Sequence, residues 1–257
     1  MTRGIWDRET VALLLLAAAL PLAVTWLLAA GQAGAMRLVL VLVAAGFWHL
    51  VFMLARAQPP SFAGALTALA IAVLAPVDLG VIPMLIGISF GTVAGELAFG
   101  GWGRNVVNPA TVAIAFLGFS FPAASWPLLP VQLGWSVAAV VAIGAFTGVM
   151  SWRVVIGAGA VLAGGWHGGA LAMPVVTAAL VVMALLVCDP VTSAATRPGR
   201  WLYGLFYGAL VLVFAWGWRG GAPVQIAVSA ALLASLAAPL FDEIAMRLWL
   251  ARRKRLG

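Results

Sequence analysis

Apolar runs separated by short polar or glycine- and proline-containing breaks fill almost the whole chain. Reading runs between breakers gives ten candidate helices, at 10–30, 37–55, 61–75, 81–99, 109–122, 132–150, 153–165, 170–188, 201–216 and 223–245. A straight span needs about 20 mainly apolar residues. The runs 61–75 and 153–165 are short by that measure, which predicts tilted, broken or partly re-entrant helices. The breaks therefore carry most of the information. Backbone that leaves the helix at membrane depth has no hydrogen-bond partner in hydrocarbon, so it is buried in protein or lines a polar cavity. The most distinctive break is 99–110, FGGWGRNVVNPA, where glycines, an arginine, two asparagines and a proline interrupt apolar sequence on both sides.

Composition agrees with this pattern. The chain has 257 residues, 65% hydrophobic and 8% charged, against about 25% charged in a soluble domain. It reads as one polytopic, all-α membrane domain with no room for a soluble catalytic domain. The segment 10–30 is long for a signal-peptide core and reads as a retained helix. With ten crossings and the N-terminus inside, every lysine and arginine except Arg37 and Arg219 falls on the inner side. That asymmetry predicts cytoplasmic N- and C-termini in a bacterial inner membrane. The net charge of +7 is scattered between apolar runs and gathered in the tail ARRKRLG, so it points to the lipid bilayer and not to nucleic acid.

A weak internal repeat accompanies the topology. Ala75-Pro76-Val77-Asp78 with Gly80 parallels Asp189-Pro190-Val191 with Gly199, and the stretch 99–109 parallels 216–223, at offsets of 114 to 117. Five helices separate the copies, so the second is inverted. The expected division is a first inverted repeat at 1–125 and a second at 131–257. Inverted repeats with broken helices place a site near their interface.

Few residues are equipped for chemistry. Asp7 and Glu9 precede the first run and read as solvated. Asp78 and Asp189 sit at repeat-related breaks, where each could cap a helix or face a cation. Glu96 lies near the end of an apolar helix, with Arg104 close enough in sequence to pair; it stands between a structural ion pair and an ion or proton pathway. Asp242 or Glu243 is spaced to pair with Arg247. His49 and His167 lack a second histidine at ligand spacing. Cys188, the single cysteine, reads as a small buried residue and supports neither a disulfide nor a four-cysteine cluster. GAGAVLAGG, 157–165, is a small-residue packing face and not a dinucleotide fingerprint. No metal-ligand cluster or self-contained active site emerges.

Certain stretches resemble the NqrB/RnfD family, the membrane subunits of sodium-pumping NADH:quinone oxidoreductase and of the Rnf complex. They are Ile88-Ser89-Phe90-Gly91 leading to Gly95-Glu96, then Phe99-Gly100-Gly101 with Asn105 and Asn108-Pro109-Ala110. Further on come Ser151-Trp152-Arg153, Asp189-Pro190-Val191-Thr192 with Thr196, Trp201-Leu202-Tyr203-Gly204, and Ala238-Pro239-Leu240-Phe241-Asp242. The resemblance implies a five-plus-five inverted-repeat fold like that of urea-transporter-type channels. It also implies a place beside flavin- or iron–sulfur-bearing membrane subunits in an ion-translocating electron-transport complex. Glu96, Asn105, Asn108, Asp189, Thr192 and Asp242 are the pathway candidates, with amide, hydroxyl and carboxylate oxygens suited to hard cations.

One departure matters. Family members with covalent flavin mononucleotide attach it to a threonine in an Asp-x-x-Ser/Thr-Gly/Ala-Ala-Thr motif within a long insertion between the repeats. Here Phe119 runs through Trp126 to Pro130 with no such insertion, and Thr196 follows Asp189 at the wrong spacing. No covalent flavin is expected, while a non-covalent flavin stays open. The alternatives are a stand-alone channel or transporter on the same fold, and a structural or assembly subunit.

Overall fold

The computed structural model describes residues 7–57, 61–218 and 220–254. They are 78% helix with no strand. Nine α-helices occur among them: α1 (Arg8–Arg56), α2 (Ala63–Leu74), α3 (Val81–Gly95), α4 (Pro109–Ser120), α5 (Val131–Phe146), α6 (Trp152–His167), α7 (Met173–Val182), α8 (Arg197–Gly217) and α9 (Pro223–Lys254). Four helical stretches, α1, Val81–Phe99, α8 and Pro223–Ala251, are long and apolar enough to cross a membrane. The helices α2, α4 and α5 and the segment Met173–Val187 are shorter and apolar. The chain is thus an all-helical polytopic membrane protein.

The first two expected runs are two helical arms, together labelled α1, that meet at a kink instead of across a loop. The break is a single residue, Gly31, at φ 60° and ψ −147°. That conformation is open to glycine and strained for other residues. Arg37, expected at the start of a second helix near a loop, lies within α1 and is half-buried.

Close helix packing runs over glycines. On α3, a Cβ at Gly91 would come within 2.4 Å of the Ala113 Cβ on α4, and one at Gly95 within 2.9 Å of Pro109. On α8, Gly204 meets the Val154 carbonyl of α6 at 2.4 Å from the same ideal position. Backbones approach this closely only where side chains are absent, the usual means of helix association in lipid. The expected small-residue face of α6 is used in part. Gly157 abuts the α8 backbone and Gly165 abuts Leu212, whereas Gly159 and Gly164 face open space.

Two inter-helix hydrogen bonds lock these contacts. The Trp48 indole donates to Ser89 Oγ at 2.7 Å, and the buried Tyr207 hydroxyl donates to the Ala179 carbonyl at 2.9 Å. Helix α7 ends in a π turn, Met183–Val187, whose residues are all buried; Cys188 N–H closes it on the Met183 carbonyl at 2.9 Å. The wider turn carries the chain out of the helix at depth and delivers Asp189 into the interior.

Candidate functional site: a buried polar centre between helix breaks

The site forms where two breaks meet, the 96–108 loop between α3 and α4 and the 188–196 loop between α7 and α8. Glu96 ends α3 with non-helical backbone. The chain then makes one 3₁₀ turn, Leu97–Phe99, and curls back through Gly100, Gly101 and Gly103 at φ 104°, 88° and 97°. These left-handed positions are why the sequence needs glycine here. The curl brings the Trp102 N–H to Glu96 Oε1 at 3.1 Å, and the Gly101 N–H to the Glu96 carbonyl at 3.2 Å.

Glu96 is 1% exposed. Its expected pairing with Arg104 does not form: Arg104 is exposed and lies over Gly100, because the glycine curl turns it outward. Glu96 Oε1 instead faces His49 Nε2 across 4.0 Å. Its Oε2 is buried with no hydrogen-bond partner, as is the Thr92 hydroxyl one turn earlier on α3. Asp189, Arg8 and Glu9 all lie within electrostatic reach.

Asn108 N-caps α4. Its Oδ1 accepts from the Ala110 N–H at 2.9 Å and the Thr111 N–H at 3.4 Å. Its Nδ2 donates to Asp189 Oδ2 at 2.9 Å, a buried bond between residues 81 apart. Asp189 Oδ1 accepts from the Val191 N–H at 3.0 Å, and the Thr192 hydroxyl stands beside the carboxylate without closing a bond of regular geometry. The fully buried Tyr203 of α8 lies within electrostatic reach of Asp189, its hydroxyl unpartnered. Asn105 organises the loop: it accepts from the Gly103 N–H at 3.1 Å and donates to the Val107 carbonyl at 3.3 Å.

Four of the six sequence-named candidates, Glu96, Asn108, Asp189 and Thr192, thus belong to one buried centre, and Asn105 shapes its loop. Asp242 is committed elsewhere. Its carboxylate accepts from the Ala195 N–H (2.8 Å), the Thr196 N–H (2.8 Å) and the Thr196 hydroxyl (2.6 Å). The Thr196 hydroxyl in turn accepts from the Gly199 N–H at 3.1 Å as the N-cap of α8. Asp242 therefore fastens the start of α8 to α9, and Glu243, the alternative partner, pairs with Arg247 at 2.5 Å.

Asp7 and Glu9 are not simply solvated. Asp7 caps α1 through the Thr10 N–H at 2.7 Å, and Glu9 accepts from the Ser61 hydroxyl at 3.0 Å and the Phe62 N–H at 3.1 Å, joining α1 to the start of α2. Cys188 is buried, as expected. Thr92 is absent from the sequence reading, and Tyr203 enters it only within the motif Trp201-Leu202-Tyr203-Gly204, not as a site candidate. The four-residue spacing from Thr92 to Glu96, which puts both on one helix face, was the available signal.

The fold and the site together define a polytopic helical membrane protein with two buried carboxylates, Glu96 and Asp189, set at breaks between its helices. Residues 5–141 match the model of the NQR2, RnfD, RnfE family, and the chain belongs to that family. It is similar to the NqrB protein of the Na(+)-translocating NADH-quinone reductase of Yersinia pestis, with 27% identity over 284 residues, covering 84% of this chain and 67% of that protein. The corresponding protein of Pseudomonas paraeruginosa is 28% identical over 273 residues, covering 82% and 66%. That of Neisseria meningitidis serogroup B is 26% identical over 278 residues, covering 83% and 67%. The chain spans about two thirds of the length of these relatives. The Yersinia alignment runs over 284 positions, more than the 257 residues present here, so that relative carries stretches without a counterpart in this chain.

Proposed function

We propose that the chain is a membrane subunit of an ion-translocating redox complex, and that the buried centre of Glu96, Asn108, Asp189 and Thr192 is its cation- or proton-handling element. The observation that carries this reading is the buried Asn108–Asp189 bond between the two breaks, beside a Glu96 oxygen and a Thr92 hydroxyl left without partners. Unpartnered buried oxygens are costly unless something satisfies them. Carboxylate, amide and hydroxyl oxygens are the ligands hard cations take.

In this reading Asn108 does two things. It starts α4, and it holds Asp189 in one orientation, in which each carboxylate oxygen accepts one hydrogen bond and keeps a lone pair for a cation. Asp189 and Glu96 supply charge that a passing cation would neutralise, and Asn105 keeps the loop closed over Glu96. Asp242 serves as a fastener of α8 and lies outside the path. The two halves, 1–125 and 131–257, are inverted repeats in a ten-segment fold, with the two arms of α1 counted separately and both termini cytoplasmic. Pairwise likeness supports this: α3 packs on α4 as α8 packs on α9, and α1 packs on α5.

The partners are redox subunits bearing flavin or iron–sulfur groups. No covalent flavin is expected on this chain, since the insertion with the attachment motif is missing and the Thr196 hydroxyl serves as the cap of α8. A non-covalent flavin at the interface with a partner remains compatible. The test is gentle detergent extraction followed by reconstitution of whatever co-purifies. Redox subunits and substrate-driven cation uptake are expected, with uptake lost in Asp189→Asn while electron transfer persists. A homo-oligomer that conducts a solute with no redox partner would replace this reading with the channel.

A further inference from the structure

The break at Gly31 leaves a cavity of about 560 Å³ against the two arms of α1, the end of α2 and the start of α3. Its walls are apolar, among them Trp26, Ala72, Val73, Leu79 and Met84, and the cation among its lining residues is Arg37. Nη2 of Arg37 donates to the Ala75 carbonyl and, at 2.9 Å, to the Pro76 carbonyl, which ends α2 and fixes the plane of the guanidinium. Its Nε is buried and bonded to nothing.

No carboxylate pairs with Arg37 among the described residues. The acid on the adjacent break, Asp78, is taken by Ser125, whose N–H and hydroxyl reach it at 2.7 and 2.8 Å. A guanidinium half-buried in a membrane protein without a counter-charge is expensive. Nη1 carries no bond among the described residues, and its two N–H groups can donate to a phosphate oxygen as a charge-assisted contact.

We propose that this cavity is a binding site for one anionic phospholipid, the phosphodiester seated on Arg37 and an acyl chain lying along the apolar walls. The volume lies in the range of small-molecule sites, and one cation at the rim of an apolar cavity selects an amphiphile over a free ion. The bilayer supplies such a molecule at high local concentration. Arg37 is then a lipid-dependent clamp: the bound phosphate neutralises the guanidinium whose other edge terminates α2. The proposal is independent of the redox reading, since none of Glu96, Asn108, Asp189 and Thr192 lines this cavity.

Native mass spectrometry of the purified full chain, delipidated and then offered phosphatidylglycerol, tests it. One retained anionic lipid per chain is expected, with phosphatidylcholine of the same chain length retained about tenfold less. Arg37→Gln should lower phosphatidylglycerol retention by at least about tenfold. Because Arg37→Gln also removes the α2 carbonyl bonds, Ala33→Trp provides a second arm. Ala33 lines the cavity and is exposed, so the indole obstructs the acyl chain while leaving the guanidinium and its carbonyl bonds in place, and retention should fall here as well.

Equal retention by wild type, Arg37→Gln and Ala33→Trp would overturn the proposal, as would equal retention of the two lipids. Displacement of phosphatidylglycerol by millimolar inorganic phosphate would overturn it too, by making free phosphate the ligand.

Discussion

Asp78 and Asp189 occupy matching places in the chain, each beside a Pro-Val at the end of a short apolar helix, yet the structure uses them in opposite ways. Asp78 is exposed and receives the Ser125 N–H and hydroxyl, which hold its carboxyl below the usual carboxylate range. It fastens the break after α2 to the loop between α4 and α5, with the Val77 N–H to the Ser125 carbonyl alongside. Asp189 is 5% exposed, reached by a π turn that sinks the break into the protein, and one of its partners is the Asn108 side chain from the other half of the chain. The lesson concerns depth. An acid at a helix break is a cap when water is available and a functional candidate when it is not, since a buried carboxylate needs partners or an ion to be tolerated.

The largest expected effect is at the buried acid. Asp189→Asn keeps the shape and a hydrogen-bond acceptor but removes the charge. Cation uptake into vesicles carrying the reconstituted complex should fall at least about tenfold, with a smaller loss of melting temperature than at Asn108, because the new amide N–H faces a donor while the buried charge is removed. Unchanged uptake would erase the functional difference between the two acids.

Asn108→Ala should come next and should differ in kind. It removes the cap of α4, about 1 kcal/mol, and strands a buried carboxylate oxygen, about 1–3 kcal/mol. Thermal stability and uptake should therefore fall together, whereas Asn108→Asp should restore the cap while setting two carboxylates against each other.

Asn105→Ala opens the loop that closes over Glu96 and should lower uptake less than Asn108→Ala. Both should exceed Arg219→Ala, whose residue lies outside the described part of the structure. Thr196→Val should cost about 1 kcal/mol of stability as a lost α8 cap, leaving uptake intact. The mass of the wild-type chain should show no flavin phosphate on Thr196.

The smallest effect belongs to Asp78. Its folded carboxyl titrates below the ordinary value of about 3.9, so its contribution is present above that pH and is lost as pH falls through the folded value. Asp78→Asn should flatten the acid limb of the stability profile, lower stability slightly at neutral pH, where the charged carboxyl makes its contribution, and leave uptake unchanged. A loss of uptake in Asp78→Asn would break the contrast.

Much of the fold was legible. Apolar runs and their breakers located every helix to within a few residues at most ends, because span length, glycine and proline act locally. The exceptions have local causes too. One left-handed glycine replaces the loop expected after residue 30, and α9 continues past 245 to Lys254 through the exposed apolar residues Met246, Leu248, Trp249 and Leu250. The site was legible as a set of residues and illegible as a set of bonds. Arg104 was the near partner for Glu96 along the chain, but three left-handed glycines turn the chain so that a backbone N–H takes that place.

By itself, then, the sequence determined that this is a helical membrane protein, where its helices break, and which few polar residues the breaks must accommodate. Only the tertiary structure decided which of those residues meet: Asn108 with Asp189, Glu9 with Ser61, Asp242 with Thr196, Arg37 with the end of α2. The reason is physical. Hydrophobicity and backbone preference are read residue by residue along the chain. A buried hydrogen bond between positions 81 apart depends instead on how closely glycine-faced helices pack and on where a π turn lets the chain go.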